Sequence, residues 1–511
     1  MASANSDQKR PSPFPVSPTE DAFRAAFEAG RPQVMWHRRI ADLETPVSVL
    51  LKATHDTTMR FLLESVTGGE VRGRYSIIGF DPDLVWTVEG RKTKVAWRGE
   101  GAPPPLPKTT GDPLADLRSV LACARIDLPD GLPPMSAGLF GFLGYDMVRL
   151  MERLETPNPD VLGLPDACLI RPRMVIVFDS IRDEITLVTP IWPDARPADE
   201  VYHEACARLK AVAARLDEPV PDAARAAKAS ETVDLTPRSN TAAEVYKANV
   251  ERAREYIRAG DIFQVVPSQR FEVDFARPAL DLYRSLRRLN PSPFLFCLDF
   301  EGFSVVGSSP EILVRLRDET VTIRPIAGTR PRGATPDADR ALERDLIADP
   351  KERAEHLMLL DLGRNDVGRV ADIGSVTVTE EFIVERYSHV MHIVSNVEGH
   401  LQADKDAVAA LMAGFPAGTV SGAPKIRAME IIDELEGDKR GLYGGAIGYF
   451  SAAGDMDTCI ALRTAILKDG KMFVQAGGGV VADSDPEFEY QETVNKAMAL
   501  IRAAEDCLSS S

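Results

Sequence analysis

The sequence has 511 residues, 44% hydrophobic and 27% charged, which is typical of a globular protein with a sizeable core. Its formal net charge of -17 argues against general binding to nucleic acids or anionic membranes, although local cations can still hold a small anion. No apolar run reaches the ~18 residues that a membrane span requires, and the polar, proline-rich start does not resemble a signal peptide. We therefore expect a cytoplasmic protein with no membrane partner.

Composition divides the chain into four parts. Residues 1–18 are predicted to be a disordered tail, and residues 217–241, rich in Ala, Pro, Asp and Ser, are predicted to be a linker. The patterned regions between and after them, 19–216 and 242–511, are the two expected domains.

Short β-like runs fill the first domain, and helices and strands in no strict order fill the second. We predict strands at 47–51, 75–78, 84–88, 139–143, 174–178 and 185–188. Residues 242–259 have the spacing of an amphipathic helix that ends at Gly260. This mixture predicts an α+β fold with much antiparallel sheet.

Several common kinds of site are excluded. The six cysteines show neither a CxxC motif nor zinc spacing, so we expect reduced, structural thiols. His389 and His392 lie three residues apart, but no third nitrogen or sulfur donor is near them in the sequence. Residues 414–425 are rich in glycine yet do not match the phosphate-loop motif.

Two distant stretches repeat one motif, in which an Asp-Pro pair predicts the start of a helix that carries two glutamates three residues apart. They are Asp349-Pro350 with Glu352 and Glu355, and Asp485-Pro486 with Glu489 and Glu492. Either pair alone is more often a solvated helix face. If the two faces meet, carboxylates about 4 Å apart repel by roughly 4 kcal/mol at an effective dielectric of about 20.

The neighbouring sequence favours a metal site over two solvated helix faces. A glycine-walled segment, 476–481, follows a strand-like run and precedes the second pair of glutamates, and Lys496 lies one turn beyond Glu492. Mg²⁺ takes one or two carboxylates together with water and substrate oxygens, which suits one glutamate from each pair. The sequence therefore predicts Mg²⁺ and an anionic, oxygen-rich substrate.

Further motifs resemble those of the chorismate-utilising enzymes. The resemblance covers 242–500 densely, and its motifs are residues 307–311 (GSSPE), 325–330 (PIAGTR), 361–369 (DLGRNDVGR) and the glycine segment, with 62–65 (LLES) and 141–145 (GFLGY) in the first domain. Within that family the chain is similar to the anthranilate-forming branch. The resemblance implies the family fold of two interleaved α+β domains, with 19–216 as the regulatory domain and 242–511 as the chorismate-binding catalytic domain.

The resemblance also assigns site residues. It implies that Glu355 and Glu492 are the metal ligands, with Glu352 and Glu489 behind them. It places Tyr443 and Arg463 on the enolpyruvyl carboxylate of chorismate. The remaining substrate-binding residues that it implies are Gly328, Thr329, Thr419, Gly477, Gly478, Gly479 and Lys496.

The implied reaction is amination of chorismate at C2 by ammonia with loss of the C4 hydroxyl, followed by elimination of pyruvate to give anthranilate. Glu311 matches the general acid, and His392 the histidine of the elimination. Gln264 stands where water-using relatives carry a lysine base, and Ala327 where aminodeoxychorismate synthases carry a nucleophilic lysine.

The resemblance further implies a separate glutamine amidotransferase subunit that supplies ammonia, in a heterotetramer, and feedback inhibition by tryptophan. The implied tryptophan pocket consists of Leu63, Glu64, Ser65, Pro291, Ser292 and Phe294, although packing in a hairpin and a turn accounts for them equally well. Phe294 replaces a tyrosine found in many relatives.

Three alternatives stay open. One is a sibling chorismate enzyme, either an aminodeoxychorismate or an isochorismate synthase. The others are a non-catalytic sensor of tryptophan or chorismate that kept the fold, and a structural protein that binds Mg²⁺ through the glutamate pairs alone.

Overall fold

A computed structural model describes residues 14–54, 56–67, 71–99, 106–155, 158–221, 235–387 and 390–509. Residues 1–13 of the predicted tail and 222–234 of the predicted linker lie outside this range, as does His389. The rest of the predicted tail packs against the protein body, because Phe14 stacks on His37 with ring centroids 3.8 Å apart and Ser17 pairs with Trp36.

The α-helices of the described residues are Glu20–Glu28 (α1), Pro46–Ala53 (α2), Pro113–Cys123 (α3), Ala198–Asp217 (α4), Ala243–Ala259 (α5), Ala279–Leu289 (α6), Pro336–Ala348 (α7), Pro350–Gly368 (α8), Ala407–Gly414 (α9), Lys425–Leu435 (α10) and Pro486–Ser509 (α11). Short 3₁₀ turns occupy Pro134–Ser136, Tyr145–Leu150 and Gly418–Val420. None of these helices is long and apolar enough to span a bilayer.

The strands of the first half are Gln33–Ile40 (β1), Arg60–Thr67 (β2), Val71–Glu89 (β3), Lys92–Trp97 (β4), Gly138–Leu143 (β5), Ala167–Asp179 (β6), Glu184–Ile191 (β7) and Arg238–Ser239 (β8). Those of the second half are Gln264–Val265 (β9), Ser268–Asp274 (β10), Phe294–Phe300 (β11), Phe303–Ser309 (β12), Ile312–Arg317 (β13), Thr320–Ile323 (β14), Ile326–Pro331 (β15), Thr377–Arg386 (β16), Val390–His400 (β17), Gly422–Ala423 (β18), Ala446–Ser451 (β19), Met456–Ile460 (β20), Thr464–Lys468 (β21) and Lys471–Gly477 (β22).

Twenty of these strands form one hydrogen-bonded antiparallel network, and β9 pairs with β18 in a separate ladder. The predicted α+β class with antiparallel sheet is confirmed. The predicted helix at 242–259 is present as α5 and ends at Gly260, whose φ of +85° is a left-handed conformation that favours glycine.

One predicted strand, 47–51, is wrong. These residues lie inside α2, which Thr45 caps by accepting a hydrogen bond from the backbone of Ser48, with Pro46 at the first helical position. A short apolar run does not distinguish a strand from a buried helix, so the capping signal before it decides the structure. The other five predicted strands are present, two of them within the long β3.

The two expected domains share strands and core, and their boundaries stay a prediction. In the β2–β11 ladder Ser65 lies opposite Phe294, and in the β5–β19 ladder Leu143 lies opposite Ala446. One buried cluster contains both Phe23 and Leu500. The segment 308–311 and the turn between β20 and β21 are therefore held by both halves of the chain.

A buried ion pair joins the two strands that contact each other most extensively in the first half, β3 and β6. Arg171 donates to both carboxylate oxygens of Asp83 at 2.7 and 2.9 Å, and its guanidinium lies 3.7 Å from the ring centre of Trp192. Both charged side chains are almost fully buried. Such a pair is costly to break, because the remaining charge stays in a low-dielectric interior.

We expect Arg171→Met to lower the free energy of unfolding by about 3–5 kcal/mol, because Asp83 would be left charged and buried. The matched control is Arg98→Met, which removes an exposed pair with Glu301 and should cost about 0–1 kcal/mol. Urea unfolding followed by circular dichroism measures both. Equal losses in the two variants would contradict this interpretation.

Candidate active site

The two predicted Asp-Pro helix starts are both present. At the start of α8, Asp349 accepts a hydrogen bond from the backbone N–H of Lys351 at 2.9 Å. At the start of α11, Asp485 accepts one from the backbone N–H of Phe488 at 2.9 Å. Pro350 and Pro486 occupy the first helical positions, where a missing N–H costs nothing. Both acidic faces open on the same cavity.

This cavity has a volume of about 460 Å³. Its walls come from β9, from the turn between β12 and β13, from β15, β17 and β22, and from the first turns of α8 and α11. It brings together all of the predicted catalytic, metal-binding and substrate-binding residues except Gly478. Those lining it are Gln264, Glu311, Gly328, Thr329, Glu352, Glu355, His392, Thr419, Tyr443, Arg463, Gly477, Gly479, Glu489, Glu492 and Lys496.

The carboxylates of the two helices lie close enough to influence one another electrostatically. Burial raises the pKa of Glu355, and the charges of Glu352 and Glu492 raise it further. Burial together with the adjacent Glu492 likewise raises the pKa of Glu489. The cluster therefore carries more negative charge than its surroundings compensate.

Only part of this charge is paired by cations of the described residues. Lys496 lies 2.9 Å from Glu492, and Arg330 lies 3.0 Å from Glu352 but also pairs with Asp349. Within the described residues, no three His, Cys, Asp or Glu side chains converge closely enough to hold a metal unaided. A carboxylate from each helix, completed by water and substrate oxygens, still fits the usual coordination of Mg²⁺.

Glu311 lies across the cavity in a different environment. Its side chain is buried, and the Thr419 hydroxyl lies 3.1 Å from each carboxyl oxygen. Burial raises the pKa of Glu311 to about 8, although Thr419 and Arg463 act in the opposite direction. At neutral pH this group therefore holds a proton that it can give to a substrate.

His392 is held in one tautomer by its neighbours. Its Nδ1 lies 2.9 Å from the carbonyl oxygen of Gly328, which can only accept, so Nδ1 carries the proton. Thr329 Oγ1 lies 3.0 Å from the same nitrogen. Burial lowers the pKa of His392 to about 4, so the ring is neutral, and Nε2 is an acceptor that has no hydrogen-bond partner in the described part of the chain.

Arg463 brings a guanidinium to the wall of the cavity. Its backbone has a φ of +48°, rare for a residue with a side chain, and no hydrogen bond or ion pair to its guanidinium occurs among the described residues. An unpaired guanidinium in a cavity suits a carboxylate. Lys496, whose Nζ also donates to the carbonyl of Gly477 at 2.9 Å, and the buried Tyr443 lie in the same cavity.

The glycine segment is required by close packing. A Cβ atom on Gly477 would lie 2.8 Å from the Tyr443 hydroxyl, and one on Gly479 would lie 2.8 Å from Nε2 of Gln264. Contacts this short do not occur for real side chains, so any other residue at either position would displace a residue of the cavity. The glycines thus let the strand end approach the other walls.

Gln264 donates its Nε2 proton to Glu355 at 3.0 Å, while its Oε1 is buried without a partner among the described residues. Because the amide bridges to the carboxylate, its oxygen is left as an acceptor on the cavity wall. Gly478 differs from its neighbours. Its N–H donates to the carbonyl of Pro267 at 3.2 Å, and the residue does not line the cavity.

A family model described as chorismate binding enzyme matches residues 59–502. The chain belongs to the chorismate-binding enzymes.

Among curated proteins, this chorismate-binding enzyme is 58% identical over 487 residues to anthranilate synthase component 1 of Cereibacter sphaeroides, covering 95% of this chain and 97% of that one. It is 50% identical to anthranilate synthase component 1 of Pseudomonas putida, with 91% and 93% covered. The resemblance found in the sequence motifs, to the anthranilate-forming branch of the family, is confirmed.

Solved structures agree. Anthranilate synthase component I of Streptococcus pneumoniae superposes with a TM-score of 0.73 at 37% identity, covering 91% of this chain and 99% of that one. The menaquinone-specific isochorismate synthase of Escherichia coli superposes with a TM-score of 0.69 at 20% identity, covering 95% and 100%. The second likeness concerns the fold alone, and both confirm the predicted family fold.

A buried ion pair behind the cavity escapes the sequence analysis. Arg440 donates to Glu436 at 2.6 and 2.9 Å, and also to the carbonyl oxygens of Val420 at 2.7 Å and Val266 at 2.5 Å. Glu436 in turn accepts from the backbone and hydroxyl of Ser268. Opposite charges four residues apart usually indicate an exposed pair, so the spacing gave no sign of this role.

A second cavity of about 250 Å³ receives part of the predicted tryptophan pocket. Leu63, Glu64, Ser65 and Phe294 line it, whereas Pro291 and Ser292 do not. Its other walls include Tyr75, Phe296, Arg315, Arg317, Ile447, Tyr449, Asp457 and Cys459. The cavity is therefore mainly apolar, with a few charged side chains among its lining residues.

Glu64 is oriented by partners outside this second cavity. Arg287 donates to its two carboxylate oxygens at 2.7 and 2.9 Å, and the buried Tyr283 hydroxyl also donates to it. These bonds fasten β2 to α6. A ligand in the cavity would compete with them for the carboxylate.

The burial of Glu489 beside Glu492 on α11 predicts a stability effect. Without metal, Glu489→Gln should raise the free energy of unfolding by about 1 kcal/mol, because it removes a carboxylate whose folded-state pKa is raised. Since such a group costs stability only when it is ionised, the gain should be small near about pH 5 and full near about pH 8. Thermal unfolding across that range measures it.

The matched control is Glu487→Gln in the same first turn, which pairs at the surface with Lys247. It should give no gain at either pH. A Glu489→Gln protein that is less stable than the wild type at the higher pH would show that the cluster is not in conflict.

Proposed function

We propose that this chorismate-binding enzyme is the large subunit of an anthranilate synthase and catalyses the first step of tryptophan biosynthesis. The observation that carries the proposal is one cavity in which a buried, protonated Glu311 faces an unpaired Arg463 and an excess of carboxylates. The names of the relatives, at 58% and 50% identity, support the same reaction.

Arg463, Lys496 and the Tyr443 hydroxyl supply the cations and donor for the two carboxylates of chorismate. Glu355 and Glu492 would hold Mg²⁺, with Glu352 and Glu489 behind them, and the ion would supply positive charge for the ring carboxylate. The surplus of carboxylates over cations supports a divalent ion at this position.

The amination needs an acid but no base for its nucleophile. Ammonia adds at C2, the ring double bonds shift, and the C4–O bond breaks as Glu311 protonates the departing hydroxyl to give water. The proton released by the new ammonium group restores Glu311. The unpartnered Oε1 of Gln264 accepts an N–H of ammonia and so orients its lone pair.

Two positions distinguish this reaction from those of sibling enzymes. A lysine in place of Gln264 would activate water, and a lysine in place of Ala327 would attack C2 covalently. Both residues line the cavity here, and neither side chain can perform those steps. Ammonia is then the remaining nucleophile.

The elimination follows in the same cavity. The neutral His392 takes the C2 proton at Nε2 while the C3–O bond breaks, and the enolpyruvate that leaves is protonated to pyruvate as the ring becomes aromatic. Neutral Nε2 supports the role of a base in this half-reaction.

Ammonia is scarce at neutral pH, so we propose a glutamine amidotransferase subunit as its source, within a heterotetramer. The number in the relatives' name, component 1, supports a second component. Tryptophan is the proposed feedback inhibitor, bound in the 250 Å³ cavity, whose apolar walls suit an indole and whose charged lining residues suit the charged groups of an amino acid.

The test is to mix the purified chain with chorismate, Mg²⁺ and an ammonium salt, without glutamine or a partner, and to identify the product by mass spectrometry. Anthranilate that EDTA abolishes and Mg²⁺ restores is the expected result. Isochorismate or aminodeoxychorismate would assign the chain to a sibling activity. Binding of chorismate without turnover would favour a sensor.

We expect Glu311→Gln to lower kcat about 10²–10⁴-fold, because the hydroxyl then leaves without a proton. Since the raised pKa keeps Glu311 protonated up to about pH 8, wild-type activity should fall as the pH rises above that value. Steady-state rates across pH measure both effects. Glu319→Gln, which removes an exposed carboxylate, is the control and should behave as wild type.

Ser65→Arg should relieve inhibition by tryptophan and leave the uninhibited rate nearly unchanged, because the arginine side chain fills the smaller cavity and Ser65 is absent from the catalytic one. Ser65→Ala, which keeps the space, should remain sensitive. Anthranilate formation at increasing tryptophan concentration measures this. Wild-type activity that ignores tryptophan would overturn the inhibitor assignment.

A further inference from the structure

The two cavities are connected by two chain segments that contribute to both. Glu311 lines the catalytic cavity, and Arg315, four residues on, lines the smaller one. In the segment formed by β20 and the turn after it, Cys459 lines the smaller cavity and Arg463 the catalytic one. The segments are joined where Ile460 donates its N–H to the carbonyl of Glu311 at 3.0 Å.

Ser309 is fully buried where these segments meet. Its hydroxyl lies 3.4 Å from both the backbone N and O of Glu311, and it is also close enough to the thiol of Cys459 to act on it electrostatically. Its carbonyl accepts from the hydroxyl of Ser292 at 2.5 Å, and in the β11–β12 ladder it lies opposite Phe294. Ser309 thus touches two walls of the smaller cavity and the backbone of the acid.

We propose that Ser309 is a positioning residue for Glu311 and transmits to it displacements of Cys459 and Phe294 in the smaller cavity. The proposal rests on the assignment of Glu311 as the proton donor. A ligand that pushes the wall of the smaller cavity moves Ser309, and Ser309 moves the acid relative to the C4 hydroxyl. A shift of about 1 Å in a reacting group costs up to about 10²-fold in rate.

A double-mutant cycle tests the connection without any inhibitor. Ile447→Phe adds bulk to the smaller cavity directly beside its strand partner Cys459, and Ile447 does not line the catalytic cavity. It should lower kcat about tenfold with a smaller change in KM for chorismate, because Ser309 contacts the backbone of Glu311 and not that of Arg463. In the Ser309→Ala background the same change should cost less than about threefold.

The matched control is Ser308→Ala. Ser308 is equally buried, but its hydroxyl donates to the carbonyl of Asn290 at 2.5 Å. In that background Ile447→Phe should keep its full effect. Equal responses in the two serine backgrounds, or an Ile447→Phe protein with wild-type kcat, would overturn the proposal. If Ser309→Ala does not fold, Ser309→Cys, of nearly the same shape and a weaker donor, replaces it and should reduce the response partly.

Hydrogen–deuterium exchange gives a readout that does not depend on activity. Ile447→Phe should speed amide exchange in a peptide covering residues 309–313 in the wild-type and Ser308→Ala backgrounds, and less so in Ser309→Ala. If the chain forms no anthranilate, the proposed function fails, while this exchange pattern still decides whether Ser309 connects the cavities. Unchanged exchange in all backgrounds would reject the connection.

Discussion

The ion pair between Glu436 and Arg440 supports the catalytic cavity from behind. Arg440 binds the carbonyl oxygens of Val266 and Val420, and Glu436 binds Ser268, so one buried pair holds the strands β9 and β10 and the turn that carries Thr419. Its guanidinium also lies 5.4 Å from the ring centre of Tyr443. A buried charge demands that every partner stay in place, which fixes the spacing between these walls.

On this frame the cavity treats its carboxyl groups in two ways. Glu311 is buried, and burial raises its pKa, so it stays protonated and able to donate a proton. The carboxylates of α8 and α11 are crowded together: burial and the charges of Glu352 and Glu492 raise the pKa of Glu355, and burial and Glu492 raise that of Glu489, so the cluster attracts a cation. Both effects come from desolvation, but the neighbouring charges decide whether a proton or a metal ion relieves it.

The smaller cavity and the larger one are lined by different residues of the same chain segments. Strand pairing carries a displacement at Cys459 or Phe294 toward Glu311 over a few residues, through hydrogen bonds that are buried. Glu64, by contrast, is fastened to α6 by Tyr283 and Arg287. A ligand in the smaller cavity therefore contacts a wall with Cys459 and Phe294 that can transmit movement, and Glu64, which is fixed.

The sequence by itself determined what depends on a few neighbouring residues and on motif order: both Asp-Pro helix starts, the helix ending at Gly260, the fold class and the family. Capping and turn geometry act within about one helical turn, so they can be read locally. Residues 47–51 form part of a helix and not the predicted strand, because a short apolar run is compatible with both. Only the tertiary structure decided which groups are protonated and which have partners. Glu311 is protonated, the guanidinium of Arg463 has no hydrogen-bond partner among the described residues, and the N–H of Gly478 donates to the carbonyl of Pro267. Those properties depend on burial by segments far away in the chain, and no local pattern contains that information.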